Sequence, residues 1–103
     1  MMIEEMITGF GRAKLNSSPT HIYFDQGVPN HAIDVKIYGS NAKNGTYIDL
    51  TGDELYYTIS YKTSKNCANE VYQTFGSSSY VKFKVYCETY VTTFTGTWKA
   101  DNY

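Results

Sequence analysis

YVKFKVY, residues 80–86, puts Val81, Phe83 and Val85 on one side of an extended chain and Lys82 and Lys84 on the other. Successive side chains of a β-strand point to opposite faces, so this spacing predicts a strand with one face in a core and one toward water. A helix would scatter the same three apolar residues around its axis. AIDVKIY (32–38) repeats the pattern, with Ile33, Val35 and Ile37 set against Asp34, Lys36 and Tyr38.

The alternation extends outward from these two segments. THIYFD (20–25), TYIDL (46–50), EVYQTF (70–75) and TYVTTFTGTWKAD (89–101) each read as strands, the last with Tyr90, Thr92, Phe94 and Trp98 on one face and Gly96 permitting a bulge. ELYYTISYK (54–62) predicts Leu55, Tyr57, Ile59 and Tyr61 facing inward and Tyr56, Thr58, Ser60 and Lys62 outward. Between strands, Asn44-Gly45 is a hairpin signal because both residues tolerate positive φ. In Asp49-Leu50-Thr51-Gly52, Asp49 and Thr51 offer local side-chain acceptors for a turn. TSKNCAN (63–69) and GSSS (76–79) read as polar connections, and Pro19 and Pro29 both fall between strands.

About seven short strands at intervals of roughly ten residues predict an all-β, immunoglobulin-like antiparallel β-sandwich. Residues 19–103 form that domain. Residues 1–18 read as an N-terminal arm, in which IEEMI has helical character cut short by Gly9 and Gly11. A terminal arm of this kind either stays disordered or orders against a neighbour.

At 103 residues the chain has room for one core. Eleven tyrosines carry much of the apolar surface on rings with a polar tip, which suit half-buried strands. Nine Lys and Arg against ten Asp and Glu leave a net charge of -1 and lack the basic excess that nucleic-acid binding calls for, so no nucleic-acid partner is expected. No membrane partner is expected either. The first residues, MMIEEMITGFGR, are acidic where a signal peptide is basic, which predicts a protein made and kept in a cytoplasm unless it leaves inside an assembly. Cys67 and Cys87 lack zinc spacing and read as free thiols, with a single bridge as the alternative in oxidising surroundings.

The chemistry-bearing residues are sparse. His21 and His31 with Asp25 and Asp34 lack a third partner of fixed geometry for a metal or acid-base site. Asp49, Asp53 and Glu54 crowd one turn but lack the alternating oxygen ligands of a calcium loop, so a turn capped by its own side chains is the expectation. No nucleophile elbow or phosphate loop is present. The expectation is a non-enzyme without catalytic residues, cofactor or metal.

"HAIDVKIYG", "YIDLTGDELYYTIS" and "FTGTWKAD" together resemble the N-terminal β-sandwich modules of bacteriophage baseplate upper proteins and related virion accessory domains over residues 31–101. Such proteins continue into a shaft, whereas this sequence ends at Tyr103, so the resemblance implies a small accessory protein of the virion. The function it implies is a capsid decoration or auxiliary head protein, synthesised in the host cytoplasm and binding the major capsid protein. The alternatives are a tail or baseplate structural module, or a carbohydrate-binding module that stacks glycans on its rings. The expected contacts are Phe10, Arg12 and Leu15 on the arm and the outward rings of Tyr38, Tyr56, Tyr80 and Tyr86, of which Tyr56, Tyr80 and Tyr86 cluster if their strands are neighbours.

Overall fold

The computed structural model describes residues 4–7, 11–26, 32–60, 62–87 and 95–102. The two alternating segments become the longest strands, β4 (Ala32–Ser40) and β8 (Ser79–Cys87), antiparallel neighbours at the centre of the larger sheet. Their register sets Ile37 opposite Phe83 and Val35 opposite Val85, so the apolar sides of both strands face the same way. Four rows result. β8 is flanked by β1 (Glu4–Ile7) and β2 (Arg12–Lys14), and β4 by β5 (Ile48–Asp49) and β6 (Tyr57–Ser60).

A second sheet runs in the order β7 (Ser64–Cys67), β3 (Thr20–Gln26), β9 (Thr95–Lys99), again antiparallel. Ile22 and Phe24 of this sheet, with Cys67 and Ala100, join Ile33, Val35, Ile37, Tyr57, Ile59, Val71, Val81, Phe83 and Val85 in one core. Among the described residues four rows lie against three strands, and the expectation of an all-β antiparallel sandwich holds. Each fully buried aliphatic side chain here contributes about 1.5–3 kcal/mol relative to exposure.

Several local expectations are corrected. EVYQTF is not a strand: Val71–Phe75 is a single turn of helix, α1, followed by a 3-10 turn at Gly76–Ser78. Val71 decides this, because its side chain is fully buried and its methyls lie where a Cβ on Gly39 would be, within 2.7 Å of Cγ2. Part of the expected polar loop TSKNCAN is strand β7, which pairs Thr20 with Cys67 and Tyr23 with Ser64 while leaving most of its side chains exposed. Leu55, expected inward, is 78% exposed, since the strand begins only at Tyr57. The Asn-Gly turn is closed by the Gly45 N–H donating to the Ala42 carbonyl at 3.0 Å, within a wider loop between β4 and β5.

Glu4–Ile7, expected to be helical, is a strand against β8, as is Arg12–Lys14. Ile7 stands opposite Lys84 and Arg12 opposite Val81, so both segments share one edge of β8. A register shift falls in β3 between Phe24 and Gln26, opposite Gly96. Residues 88–94, including Tyr90, Thr92 and Phe94, lie outside the described residues, as does Tyr61.

The two lateral sides of the sandwich are closed differently. On one, Arg12 of β2 donates to the Trp98 carbonyl of β9 at 2.5 Å, its guanidinium carbon 4.3 Å from the indole centroid, while Trp98 meets Phe83 edge-on at 5.1 Å. Beside it Lys14, fully buried, donates to the carbonyls of Ser18 (2.5 Å) and Ala100 (3.1 Å) and to Asp101 Oδ1 (2.6 Å). Thr20 Oγ1 also donates to the Ala100 carbonyl, and Asn69 Nδ2 to Thr20 Oγ1, carrying the network into the second sheet. On the other side Tyr57 donates to the Ala68 carbonyl between β6 and β7. Among the described residues no buried side-chain nitrogen or oxygen lacks a partner, and no helix is long and apolar enough to cross a membrane.

Candidate functional site: a tyrosine and lysine sheet face

The side chains that β4 and β8 turn away from the core form the outer face of the larger sheet. Alternation makes them Asp34, Lys36 and Tyr38 on β4 and Tyr80, Lys82 and Lys84 on β8, with Tyr38 opposite Lys82 and Lys36 opposite Lys84. Lys84 Nζ lies 4.5 Å from the Tyr38 ring centroid. Lys82 Nζ lies 4.2 Å from the ring of Tyr47, which the loop after β4 lays across the face. That ring also covers Gly11, where a Cβ would collide with it, and Tyr47 donates to the Lys43 carbonyl at 2.7 Å. Burial pushes the Tyr47 phenol above its ordinary pKa, and nearby Tyr80 adds to the effect. Rings and ammonium groups therefore alternate across this face.

The two aspartates of the face are engaged. Asp49 accepts from the Thr51 N–H (3.1 Å) and the Thr51 hydroxyl (2.6 Å), which is the self-capped turn expected of IDLTGD, and Lys36 approaches it at 3.7 Å. Thr51 is buried and its Oγ1 accepts from the Ile37 N–H at 3.0 Å, which clips the turn to β4. Asp34 accepts from Thr58 Oγ1 at 2.7 Å.

The expected contact residues fall in several places. Tyr38 and Tyr80 share the outer face, joined by Tyr47, which was expected in a strand over 46–50 but lies in the loop before the two-residue β5. Tyr56 is half exposed but immediately precedes β6, and β4 stands between that strand and β8, so it does not cluster with Tyr80. Tyr86 pairs through its backbone with Asp34 and Glu5; its side chain and Phe10 lie outside the described residues. Leu15 is 74% exposed, whereas Arg12 is engaged within the chain by Trp98. Lys14, which the sequence did not single out, is a buried attachment of the arm.

A second concavity of about 490 Å³ opens beside β6 and β7, lined by Thr51, Gly52, Asp53, Glu54, Tyr57, Lys65, Asn66, Ala68, Asn69 and Glu70. Burial raises the Tyr57 phenol pKa, and the neighbouring Cys67, Glu54 and Asp53 act in the same direction. His21 Nδ1 lies 2.6 Å from Asn66 Oδ1, and His31 is outside the described residues. Among the described residues no group of three or more His, Cys, Asp or Glu is arranged to hold a metal ion. Cys67 is a free thiol in the core, pushed up to about 12 by burial. Cys87 ends β8, and its side chain lies outside the described residues.

The fold and this face define a small antiparallel β-sandwich with an aromatic and cationic outer surface. Compared with protein-family models, with curated proteins and with solved structures, the chain matches none.

Proposed function

We propose that the chain is a non-enzymatic structural module that docks on neighbouring protein subunits through the outer face of its larger sheet. The observation that carries this reading is the alternation of Tyr38, Tyr47 and Tyr80 with Lys36, Lys82 and Lys84 on one rigid surface. Tyrosine supplies large contact area at small entropic cost, and lysines over ring faces hold those rings in place, each such contact being worth about 0.5–1 kcal/mol at an exposed site. The setting we propose, a bacteriophage particle in which the chain decorates the head and contacts the major capsid protein, rests on the resemblance of residues 31–101. A tail or baseplate position is the variant of the same reading.

Sugar stacking needs bare ring faces, and an ammonium group already lies over the rings of Tyr38 and Tyr47, which favours a protein partner over a glycan. The arm serves docking less directly than the face does. Removing residues 1–15 would take away Lys14 and uncover the β8 edge, so its first effect falls on stability.

The test is quantitative mass spectrometry of density-purified particles, with the wild-type chain and with Tyr38→Ala/Tyr80→Ala. A copy number near the lattice count, reduced at least tenfold in the variant, supports the reading. Absence of the wild-type chain from particles refutes it.

A further inference from the structure

We infer that Asn44 is a site of spontaneous covalent modification, an asparagine that converts to isoaspartate and aspartate at a rate set by the turn that holds it. Asn44 is exposed and is followed by Gly45. Glycine has no Cβ to obstruct its own nitrogen as that nitrogen approaches the preceding side chain. Asn16, Asn30, Asn41, Asn66, Asn69 and Asn102 are each followed by a residue that does carry a Cβ. The fold itself requires the glycine. A Cβ on Gly45 would lie 2.6 Å from Oγ of the buried Ser40 and 3.2 Å from the Ala42 carbonyl oxygen, so the packing of this loop installs the reactive pair.

The step consumes one water and releases one ammonia. The Gly45 nitrogen bonds to Asn44 Cγ, the Cγ–Nδ2 bond breaks, and the Gly45 amide proton leaves on the ammonia. Water then opens the resulting succinimide. Addition at Cγ gives aspartate; addition at the main-chain carbonyl carbon gives isoaspartate, in which the backbone runs through Cγ.

The native turn opposes this ring closure. The Gly45 N–H donates to the Ala42 carbonyl at 3.0 Å, and neither Lys43 nor Asn44 has positive φ, which makes this a type I turn with Asn44 at its third position. At that position ψ is near 0°, so the Gly45 nitrogen eclipses the nitrogen of Asn44 and stands roughly 120° from Cβ about the Cα–C bond. A nearly planar five-membered ring needs that nitrogen to eclipse Cβ instead. The peptide between Asn44 and Gly45 must therefore swing through most of that angle, which breaks the bond to Ala42. The peptide before Asn44 is anchored as well, because the Tyr47 hydroxyl donates to the Lys43 carbonyl at 2.7 Å. Reaction thus waits on local opening of the loop, and the observed rate is the rate in the open loop scaled by the open fraction. An isoaspartyl link adds one backbone carbon between Lys43 and Tyr47, the residue whose ring lies under Lys82.

The test is peptide mapping by liquid chromatography and mass spectrometry of the full chain, incubated at neutral pH and sampled over time, both folded and unfolded in guanidinium chloride. Isoaspartate is separated from aspartate by retention and by electron-transfer fragmentation. The folded chain is expected to accumulate both products at Asn44 with isoaspartate in excess, while Asn41, exposed in the same loop, stays intact. The folded rate is expected to be at least about tenfold below the unfolded rate. Tyr47→Phe, which removes the anchor on Lys43, should raise the folded rate about threefold or more and leave the unfolded rate unchanged. Far-UV circular dichroism checks that this variant is folded; if it is not, hydrogen exchange at the Gly45 amide of the wild type, expected to be slowed to the same degree as the modification, takes its place.

No product at Asn44 in the folded chain by the time the unfolded chain is fully converted overturns the inference. So does aspartate without isoaspartate, faster conversion at Asn41, or equal rates in the folded and unfolded chain. A folded Tyr47→Phe chain that reacts no faster than wild type, or a Gly45 amide that exchanges without protection, overturns the control by the turn.

Discussion

Lys14→Met removes the charge of a lysine whose ammonium group is wholly buried and spends its donors on Ser18 O, Ala100 O and Asp101 Oδ1. Methionine keeps most of the stem volume, so the cost is chiefly electrostatic. Breaking a buried pair by deleting one partner costs about 3–5 kcal/mol. Asp101 keeps 11% of its side chain exposed and still accepts the Leu15 N–H at 2.7 Å, which places the expected loss at the low end. About 3 kcal/mol corresponds to a urea midpoint lower by about 2 M for a chain of this size. It also corresponds to a melting temperature lower on the order of 15 °C.

Urea unfolding followed by fluorescence of Trp98, the sole tryptophan, reads this directly, because its indole packs against Arg12 and Phe83 in the same corner. Asp101→Asn and the double variant complete a cycle, and a coupling of at least about 1 kcal/mol is expected between side chains in contact. A Lys14→Met variant within about 0.5 kcal/mol of wild type, the range of an ordinary surface substitution, would refute the reasoning.

Two other outcomes follow from the core. Gly39→Ala places a methyl 2.7 and 2.8 Å from the Val71 Cγ atoms and 3.1 Å from Leu50 Cδ1, so equilibrium unfolding should show a loss of about 1–3 kcal/mol; an unchanged midpoint counts against the packing of α1 on β4. Cys67 keeps its proton in the folded chain up to about 12, from an ordinary value of 9.0, whereas the unfolded chain releases it. Stability from this group is therefore complete below the unfolded value and declines above it by up to about 1.4 kcal/mol per pH unit, with Tyr47 and Tyr57 adding to the decline above about pH 10. Thermal unfolding from about pH 8 to pH 10 should be flatter for Cys67→Ala than for wild type, and equal slopes would contradict the burial of the thiol.

The face we propose to dock was partly legible. Tyr38 and Tyr80 could be assigned outward from the alternation of AIDVKIY and YVKFKVY, and IDLTGD could be read as a self-capped turn because Asp49 and Thr51 are close in sequence to the groups they bond. Tyr47 escaped because TYIDL reads as a strand, whereas only Ile48–Asp49 pairs and the place of the Tyr47 ring over Gly11 and Lys82 depends on where the preceding loop lands. Lys14 escaped for a different reason: apart from the Ser18 carbonyl four residues on, the groups that hold it lie 86 and 87 residues away.

Amino-acid order alone determined which strands have an inner face, since side-chain direction along an extended chain is a local property with period two. It therefore determined the all-β class and most of the core, from Ile33 to Val85. Tertiary structure decided what local preference leaves balanced. Val71–Phe75 alternates like a strand yet turns once as helix, because Val71 fits beneath Gly39 and Leu50. Ser64–Cys67 has polar loop composition yet forms a strand, because β3 offers it a free edge and only Cys67 must face inward. Likewise the end of the arm is bound because Asp101 and two carbonyls meet Lys14 between the sheets, a pairing that exists only once both chain ends arrive at the same corner.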